Sequence, residues 1–227
     1  MPLSLALVHF PVFNKRGAIV ATSLTNLDIH DIARSARTYC ASPYFIVHGV
    51  PEMEEFAHEV IDHWVEGEGA EYNVTRKEAL SQIEVVPDLG EVDRRLTELW
   101  GRRPKFVVTS ARKFPFTVTY EQMREKIDKD DEPLCLIFGT GYGLIDEIMQ
   151  EADYVLEPLY GPGDWNHLCV RAAASIILDR LRSVRKYNRW KILRCLSPNQ
   201  PFLFLTSTEL WSIRLATLPV QPTTPCN

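Results

Sequence analysis

The fold is decided by a stretch that begins with Leu134-Cys-Leu-Ile-Phe138 and continues directly into Gly139-Thr-Gly-Tyr-Gly143. The first part is an apolar run of strand length, and the second is a glycine-rich loop. Tyr154-Val-Leu-Glu157 predicts another strand, which ends in a second glycine-containing loop at residues 158–163. Small and apolar residues then recur at helical spacing over residues 167–181. We expect two adjacent strands that each open into a glycine loop at the carboxyl end, where open α/β sheets bind ligands.

The rest of the chain alternates short apolar runs with amphipathic segments. Residues 9–17 are expected to form a loop, because Pro11 is incompatible with a central strand. Alternation of strands and helices predicts an α/β fold with a mostly parallel sheet and helices on both faces. Further strands are predicted at residues 3–8, 44–48, 84–86 and 105–109, and helices at residues 25–40, 51–66, 75–83, 88–99 and 119–128. Capping boxes are predicted at Thr25 with Asp28 and at Thr119 with Gln122, and single caps at Asn73 and Asp88.

Length and composition indicate an ordinary globular protein. A chain of 227 residues is long enough for one large α/β domain, or for one domain with an appendage. No run approaches the roughly 18 apolar residues of a membrane helix, and the first residues lack the basic start of a signal peptide. The five cysteines are scattered without a C-x-x-C pair, which indicates reduced thiols in a cytoplasmic protein.

Charge is distributed unevenly along the chain. Residues 1–180 carry 18 basic and 29 acidic residues, whereas residues 181–227 carry seven basic residues and one acid. An acidic body is not typical of a general nucleic-acid-binding protein, so RNA binding would need a local patch. We expect a domain at residues 1–181 and a basic, proline-interrupted, poorly ordered extension at residues 182–227. The extension is interpreted either as an RNA tether or as an appendage.

The glycine loop at residues 139–143 has two interpretations when taken alone. Leu144 stands where the dinucleotide-binding fingerprint has its third glycine, and no Gly-Lys-Ser/Thr follows as in a P-loop. The loop is therefore either only a tight turn or a place where backbone N–H groups approach a ligand closely. The second glycine loop, after the next strand, favours ligand binding.

Several segments, taken as an ordered set, resemble the SPOUT RNA methyltransferases. In the second half these are Phe138-Gly-Thr-Gly-Tyr-Gly-Leu144, Leu156-Glu-Pro-Leu-Tyr-Gly161 and Asn166-His-Leu-Cys-Val-Arg-Ala-Ala-Ala-Ser-Ile-Ile-Leu178. Near the start, Asn26-Leu-Asp-Ile-His-Asp-Ile-Ala-Arg34 is similar to the first SPOUT motif, with its asparagine and its helix-borne arginine. The resemblance covers about residues 3–181. It is in particular a resemblance to the bacterial family related to the tRNA guanine methyltransferase.

This resemblance implies a C-terminal trefoil knot, in which the last segment threads through a preceding loop. It also implies S-adenosylmethionine as methyl donor, tRNA or rRNA as substrate, and a homodimer whose active site is completed by the partner chain. The donor would lie among three loops and be held mainly by backbone groups. The matching donor-binding positions are Thr109, Ser110, Gly139, Thr140, Gly141, Tyr142, Gly143, Leu156, Glu157, Leu159, Gly161 and Leu168.

The resemblance also suggests four catalytic candidates, each with a simpler interpretation. Arg34 matches the family arginine beside the acceptor, where a fixed cation could orient a phosphate or ribose, but it could also be a helix-surface charge. Asn166 lies one position earlier than the family asparagine and is either a site residue or a helix cap. His167 could act as a base near neutral pH, and Arg171 could hold a phosphate or a carboxylate across the dimer. Cys169, where the family has a serine, is expected to be a small core residue.

No metal site is predicted, because His58 and His63 are five residues apart and do not share a helix face. The sequence therefore favours an S-adenosylmethionine-dependent methyltransferase that acts on structured RNA. Two alternatives remain open. One is a protein methyltransferase on the same fold, which the acidic body favours, and the other is a nucleotide-binding regulatory module without catalysis.

Overall fold

The computed structural model describes residues 2–129 and 132–183, so the predicted extension at residues 182–227 lies outside the described residues after its first two positions. The strands are β1 (Leu3–Val8), β2 (Val12–Phe13), β3 (Ile19–Val20), β4 (Tyr44–Val47), β5 (Ile83–Val86), β6 (Lys105–Val108), β7 (Leu134–Gly139) and β8 (Tyr154–Val155). The helices are α1 (Asn26–Thr38), α2 (Pro51–Val65), α3 (Glu68–Tyr72), α4 (Val74–Leu80), α5 (Leu89–Trp100), α6 (Tyr120–Lys129), α7 (Asp146–Glu151) and α8 (Val170–Arg182). None of the helices in this part of the chain is both long and apolar enough to cross a membrane.

Six strands form one parallel sheet in the order β5–β4–β1–β7–β6–β8, which confirms the predicted α/β class. In the middle of the sheet, Val8 at the end of β1 pairs with Val47 of β4 and with Gly139 of β7. The expected adjacency of the two glycine-loop strands is wrong, because β6 lies between β7 and β8. Local sequence does not reveal this arrangement, since the connection from β7 to β8 crosses β6, which comes earlier in the chain. As a result, the loop after β6 lies between the two glycine loops.

Helices cover both faces of the sheet, as predicted. Leu5 and Leu7 of β1 belong to a core that includes residues of α1, α2, α4, α6 and α8. Ala6 and Val8 belong to the opposite core, which includes residues of α5 and α7. Every residue of β1 is buried, which explains why this central strand reads as a continuous apolar run in the sequence.

Side-chain caps define the predicted helix starts. The Thr25 hydroxyl accepts a bond of 3.2 Å from the Asp28 N–H, and the Asp28 carboxylate accepts one of 3.2 Å from the Thr25 N–H. Thr119 and Gln122 exchange the equivalent bonds at α6, at 3.0 and 3.1 Å. Each pair satisfies N–H groups that have no partner within the helix. The single caps at Asn73 and Asp88 are also confirmed.

The β2–β3 hairpin and α7 were not predicted, and α8 begins later than expected. Residues 9–17, predicted as a loop, contain β2 and lead into β3. Two-residue strands and a six-residue helix are too short to show a periodic apolar pattern. The residue before α8 is Cys169, whose side chain makes no cap hydrogen bond. The interpretation of Asn166 as a helix cap is therefore wrong.

The last described helix packs against the first. The hydroxyl oxygens of Ser35 on α1 and Ser175 on α8 lie 2.8 Å apart, and the Tyr39 hydroxyl donates to Asp179 Oδ1 at 2.9 Å. On the other side, Arg124 of α6 donates to the carbonyl of Arg180 at 2.9 Å. These contacts fix α8 between α1 and α6 and set the position of the loop that precedes it.

Candidate active site

A cavity of about 830 Å³ opens at the carboxyl edge of the sheet. Its wall contains residues that follow β1, β6, β7 and β8, together with the start of α8. In this sheet, β4 and β5 lie on one side of β1, whereas the strands that come later in the chain lie on the other. Such a change of direction leaves a crevice outside the strand ends, and ligands of open α/β sheets bind in that crevice.

Most of the predicted donor-binding positions line this cavity. Leu156 and Gly161 do not, since Leu156 is buried in the core beneath and Gly161 lies on an exposed part of its loop. The predicted positions that the structure brings together are Thr109, Ser110, Gly139, Thr140, Gly141, Tyr142, Gly143, Glu157, Leu159 and Leu168.

The glycine loop is tied to the β2–β3 hairpin by backbone hydrogen bonds. The Tyr142 N–H donates to the Phe13 carbonyl at 2.8 Å, and the Phe13 N–H donates to the Gly143 carbonyl at 2.9 Å. A Cβ at Gly141 would lie 2.8 Å from the Phe13 carbonyl, and its φ is +58°. Gly141 is therefore required by the hairpin itself. Close approach of a ligand is not needed to explain this glycine.

Two threonine hydroxyls join the glycine loop to the end of β1. Thr140 Oγ1 lies 3.0 Å from the Val8 carbonyl and 2.5 Å from Thr22 Oγ1. Thr22 Oγ1 in turn lies 3.0 Å from Nδ1 of His9. His9 is 1 % exposed, and its Nε2 has no hydrogen-bond partner among the described residues. The chain of contacts thus leads from the glycine loop to a buried imidazole in the cavity wall.

His9 and His48 form a stacked pair of uncharged rings. Their centroids lie 5.4 Å apart with an angle of 16° between the planes. His48 Nε2 faces the Thr22 carbonyl at 3.0 Å, and its Nδ1 accepts the Val50 N–H at 3.3 Å, so His48 carries its proton on Nε2. Burial lowers the pKa of both rings, and burial together with the neighbouring His48 lowers the pKa of His9 to about 4.

Asp28 brings a carboxylate to the same end of the cavity. Its side chain is held by the capping box, in which Oδ2 accepts both the Thr25 N–H and the Thr25 hydroxyl. The residue is 8 % exposed and lines the cavity together with Ser23. Because the cap occupies Oδ2, the geometry leaves Oδ1 as the oxygen that can accept a ligand N–H.

The loops after β6 and before α8 close the opposite end. Thr109 Oγ1 donates to the Ile137 carbonyl at 3.0 Å, which anchors the start of the β6 loop. Asn166 Nδ2 donates to the Ala111 carbonyl at 3.0 Å and so links the two loops. Arg112 lies in the wall here, with its guanidinium 5.5 Å from the centroid of the Phe114 ring. Asn166 therefore joins the β6 loop to the loop before α8 and does not cap α8.

Glu157 also has a structural partner. Its Oε1 accepts the N–H of Tyr120 at 2.8 Å, at the first residue of α6. Burial raises the pKa of the Tyr120 hydroxyl above its ordinary value. Glu157 therefore positions α6 in the cavity wall through one of its two carboxylate oxygens.

The four catalytic candidates separate into two groups. Asn166 and His167 line the cavity, and the His167 ring meets the edge of Trp165 at a centroid distance of 5.0 Å. Arg34 and Arg171 do not line it. Arg34 is exposed on α1, and Arg171 lies 3.7 Å from Asp31 through its Nε.

Cys169, expected in the core, is exposed and lines the cavity, so that prediction is wrong. Its position at the start of α8 explains the difference, because the residue precedes the first buried turn of the helix.

Sequence reasoning missed the polar end of the cavity. The residues concerned are His9, Thr22, Ser23 and Asp28, and Arg112 at the opposite end was also missed. For Asp28 the capping box was recognised, but the carboxylate was assigned only to the helix. His9 follows β1 directly, and a polar residue at the carboxyl end of a central strand was the signal that could have identified it.

The cavity wall fits an adenosyl group. Phe138, Val170, Ala173 and Ile177 supply apolar surface, and the glycine loop supplies backbone without side-chain bulk. Among residues 2–129 and 132–183, no group of His, Cys, Asp and Glu side chains is arranged to hold a metal ion.

The sequence has relatives among RNA-modifying enzymes. It is 44 % identical over 179 residues to an uncharacterized protein of Aquifex aeolicus, across 79 % of this chain and 87 % of that protein. It is 40 % identical over 176 residues to the tRNA (guanine-N(1)-)-methyltransferase of Nitratidesulfovibrio vulgaris, across 78 % of this chain and 41 % of that enzyme. The chain thus spans about two fifths of the length of the latter relative.

Solved structures share the fold. TrmJ from Z. mobilis ZM4 matches with a TM-score of 0.53 and 15 % identity, over 82 % of this chain and 70 % of that chain. A protein of Neisseria gonorrhoeae described as a methylase family member matches with a TM-score of 0.54 and 16 % identity, over 96 % of this chain and 95 % of that chain. The family model described as SAM-dependent RNA methyltransferase matches residues 2–183, which confirms the resemblance seen in the motifs. The chain therefore belongs to the S-adenosylmethionine-dependent RNA methyltransferase family.

Proposed function

We propose that the protein transfers a methyl group from S-adenosylmethionine, bound in the cavity at the sheet edge, to a structured RNA, with tRNA as the first candidate. Family membership supports the donor and the RNA class of substrate. The name of the Nitratidesulfovibrio relative supports tRNA in particular. The observation that carries the proposal is the single cavity wall formed by the glycine loop, the β6 loop and the start of α8. Nothing comparable supports a protein substrate or a purely regulatory role.

The donor supplies a methyl carbon that is already activated on a sulfonium centre. The protein therefore has to align the acceptor atom with that carbon and exclude water. Thr109, Ser110, Leu159 and Leu168 border the space for the donor on the side of β6 and β8. Ala173 and Ile177 of α8 give this side an apolar surface, which suits an adenosyl group.

The positions of the catalytic candidates support a dimeric active site. Asn166 and His167 face the cavity of their own chain, where His167 could receive the proton released by the acceptor. Arg34 and Arg171 lie outside that cavity, on the neighbouring helices α1 and α8. We place them beside the cavity of a partner chain in a homodimer, where a guanidinium could hold an RNA phosphate.

The path of the chain supports a trefoil knot. β8 lies beyond β6, although β7 comes between them in the sequence, and α8 then returns to pack between α1 and α6. A segment that comes back across an existing loop in this way is what a knot requires. We assign residues 1–181 to the methyltransferase domain and residues 182–227 to an extension, in a protein of the cytoplasm. The family match, which ends at residue 183, supports a boundary close to this position.

Calorimetric titration with S-adenosylmethionine, ATP and NAD tests the donor. Binding of the methyl donor alone is expected. Transfer of a labelled methyl group to unfractionated tRNA and to rRNA then tests the substrate. Binding of ATP or NAD without the methyl donor would overturn the proposal, as would donor binding without label in either RNA.

A further inference from the structure

The cavity has two chemically different ends. On the side of β6 and β8 the wall combines apolar side chains, among them Ala111, Leu159 and Leu168, with polar ones such as Thr109 and Arg112. At the end of β1 it is polar and contains His9, Thr22, Ser23 and Asp28, here called the β1 subsite. β1 and β6 are separated by one strand. Since neighbouring strands lie about 4.8 Å apart, the two ends are roughly 10 Å from each other.

The β1 subsite contains polar atoms that the protein does not use. His9 Nε2 is buried and has no hydrogen-bond partner among the described residues. A buried polar atom without a partner costs about 1–3 kcal/mol, so it is expected to meet a ligand or water. Asp28 Oδ2 accepts both bonds of the capping box, which leaves Oδ1 for another donor. Ser23 is exposed and adds a hydroxyl at the entrance.

The size of the cavity leaves room for a second reactant. About 830 Å³ lies toward the upper end of the roughly 300–1,000 Å³ usual for small-molecule sites. The side of β6 and β8 has the apolar surface that suits the adenosyl group of the donor, whereas the end at β1 offers a carboxylate, an imidazole nitrogen and a hydroxyl. Enzymes that act on a base take it out of the stack and hold its edge with hydrogen bonds from such groups.

We propose that the β1 subsite binds the nucleobase that receives the methyl group, through Asp28, Ser23 and Nε2 of His9. The inference rests on the proposed function and deepens it, because it assigns the two reactants to opposite ends of one cavity. Asp28 Oδ1 accepts a base N–H, and the uncharged His9 ring forms a second bond to the same base. The subsite therefore governs RNA methylation without contributing to the donor affinity of the RNA-free protein.

A bulky substitution at Ser23 tests the assignment. Ser23 is exposed and lines the cavity, so Ser23→Tyr fills the subsite without disturbing the core. Ala21 is also exposed but lies outside the cavity wall, and Ala21→Tyr is the matched control. We expect both variants to bind S-adenosylmethionine within twofold of the wild type in calorimetry. Methyl transfer to the RNA pool should fall at least twentyfold in Ser23→Tyr only.

Asp28→Asn provides a second test that does not depend on bulk. The amide has the same shape, and its oxygen can still accept the Thr25 N–H, but its second atom is a donor instead of an acceptor. We expect at least a tenfold loss of kcat/KM for RNA with an unchanged donor Kd, and a melting temperature recorded beside it identifies any loss of folding. If donor affinity fell as much as methyl transfer in both Ser23→Tyr and Asp28→Asn, the donor itself would occupy the β1 subsite. That result would overturn the inference.

Unchanged methyl transfer in both variants would also overturn it. Failure of the proposed function would look different, because the wild-type protein itself would then bind no methyl donor or label no RNA.

Discussion

Gly141 is held by the hairpin, and the first prediction concerns this residue. A Cβ there would meet the Phe13 carbonyl at 2.8 Å in a backbone with φ +58°. We expect Gly141→Ala to destabilise the protein by about 1–3 kcal/mol. Gly141→Val should in addition weaken donor binding at least tenfold, about 1.4 kcal/mol, because the loop must leave the hairpin. Thermal unfolding and calorimetry measure the two effects.

Gly161→Ala, in the loop after β8, is the control for this prediction. A Cβ at Gly161 would meet nothing within 4 Å, and the residue does not line the cavity. It should leave both the melting temperature and the donor affinity unchanged. Equal melting temperatures for Gly141→Ala and Gly161→Ala would show that the hairpin contact does not constrain the loop.

His9 makes stability depend on pH. Its pKa in the folded protein is about 4, against 6.5 for an unperturbed histidine. Below pH 6.5 the unfolded chain binds a proton that the folded chain does not, so stability is complete above pH 6.5 and falls toward pH 4. Between pH 7 and pH 5 the loss should be about 1–2 kcal/mol.

Urea unfolding of the wild type and of His9→Gln at both pH values measures this effect. Glutamine keeps a hydrogen-bonding side chain but does not titrate. The loss of stability between pH 7 and pH 5 should therefore be smaller in His9→Gln by about 1–2 kcal/mol. His48 and His30 also have lowered pKa values, but they contribute to both proteins alike. Parallel declines in the two proteins would contradict the assignment to His9.

At the scale of single elements, two equivalent capping boxes allow a matched comparison. Thr25 caps α1 and also holds the Asp28 carboxylate, whereas Thr119 caps α6 with Gln122. Replacing either threonine by alanine should destabilise the protein by about 0.5–2 kcal/mol. Only Thr25→Ala should also reduce methyl transfer by several-fold, because it frees the carboxylate in the β1 subsite. If Thr25→Ala and Thr119→Ala lost equal stability and equal activity, the Asp28 carboxylate would serve only to cap α1.

The same elements show how far the sequence could predict the molecule. β1 and the caps of α1, α4, α5 and α6 were predictable because buried runs and capping side chains are local signals. The place of β6 between β7 and β8 was not, since strand order depends on contacts distant in the sequence. For the same reason the motif positions indicated the donor end of the cavity, whereas Thr22, which meets Thr140 across 118 residues, gave no local signal.

At the scale of the whole molecule, the proposed dimer predicts that substitution of Arg34 affects methyl transfer much more than donor affinity. The residue is exposed on α1 and does not line the cavity of its own chain. We expect Arg34→Ala to leave donor affinity nearly intact and to abolish methyl transfer. Mixing Arg34→Ala with the inactive Ser23→Tyr chain should restore part of the activity, because one of the two sites in a mixed dimer would be intact. No recovery on mixing would contradict a site shared between chains.

Removal of the extension separates its two interpretations. Truncation should follow Ser183, since the Ser183 carbonyl accepts a bond from Arg124 that ties the end of α8 to α6. The truncated protein should keep its donor affinity and its melting temperature. If the extension is an appendage, the dependence of RNA binding on salt should also be unchanged. A flatter salt dependence with weaker RNA binding would instead identify a tether, because fewer counterions would be released.

The hydroxyl contact between Thr22 and Thr140 has a consequence for how the binding of one reactant affects the binding of the other. One threonine belongs to the β1 subsite and the other to the glycine loop, and their oxygens lie 2.5 Å apart. A reactant that orders either end therefore lowers the cost of ordering the other. Reciprocity then requires that the donor tightens RNA binding by the same factor by which RNA tightens donor binding. A tenfold factor corresponds to about 1.4 kcal/mol of cooperativity between the two reactants, carried through one pair of side chains.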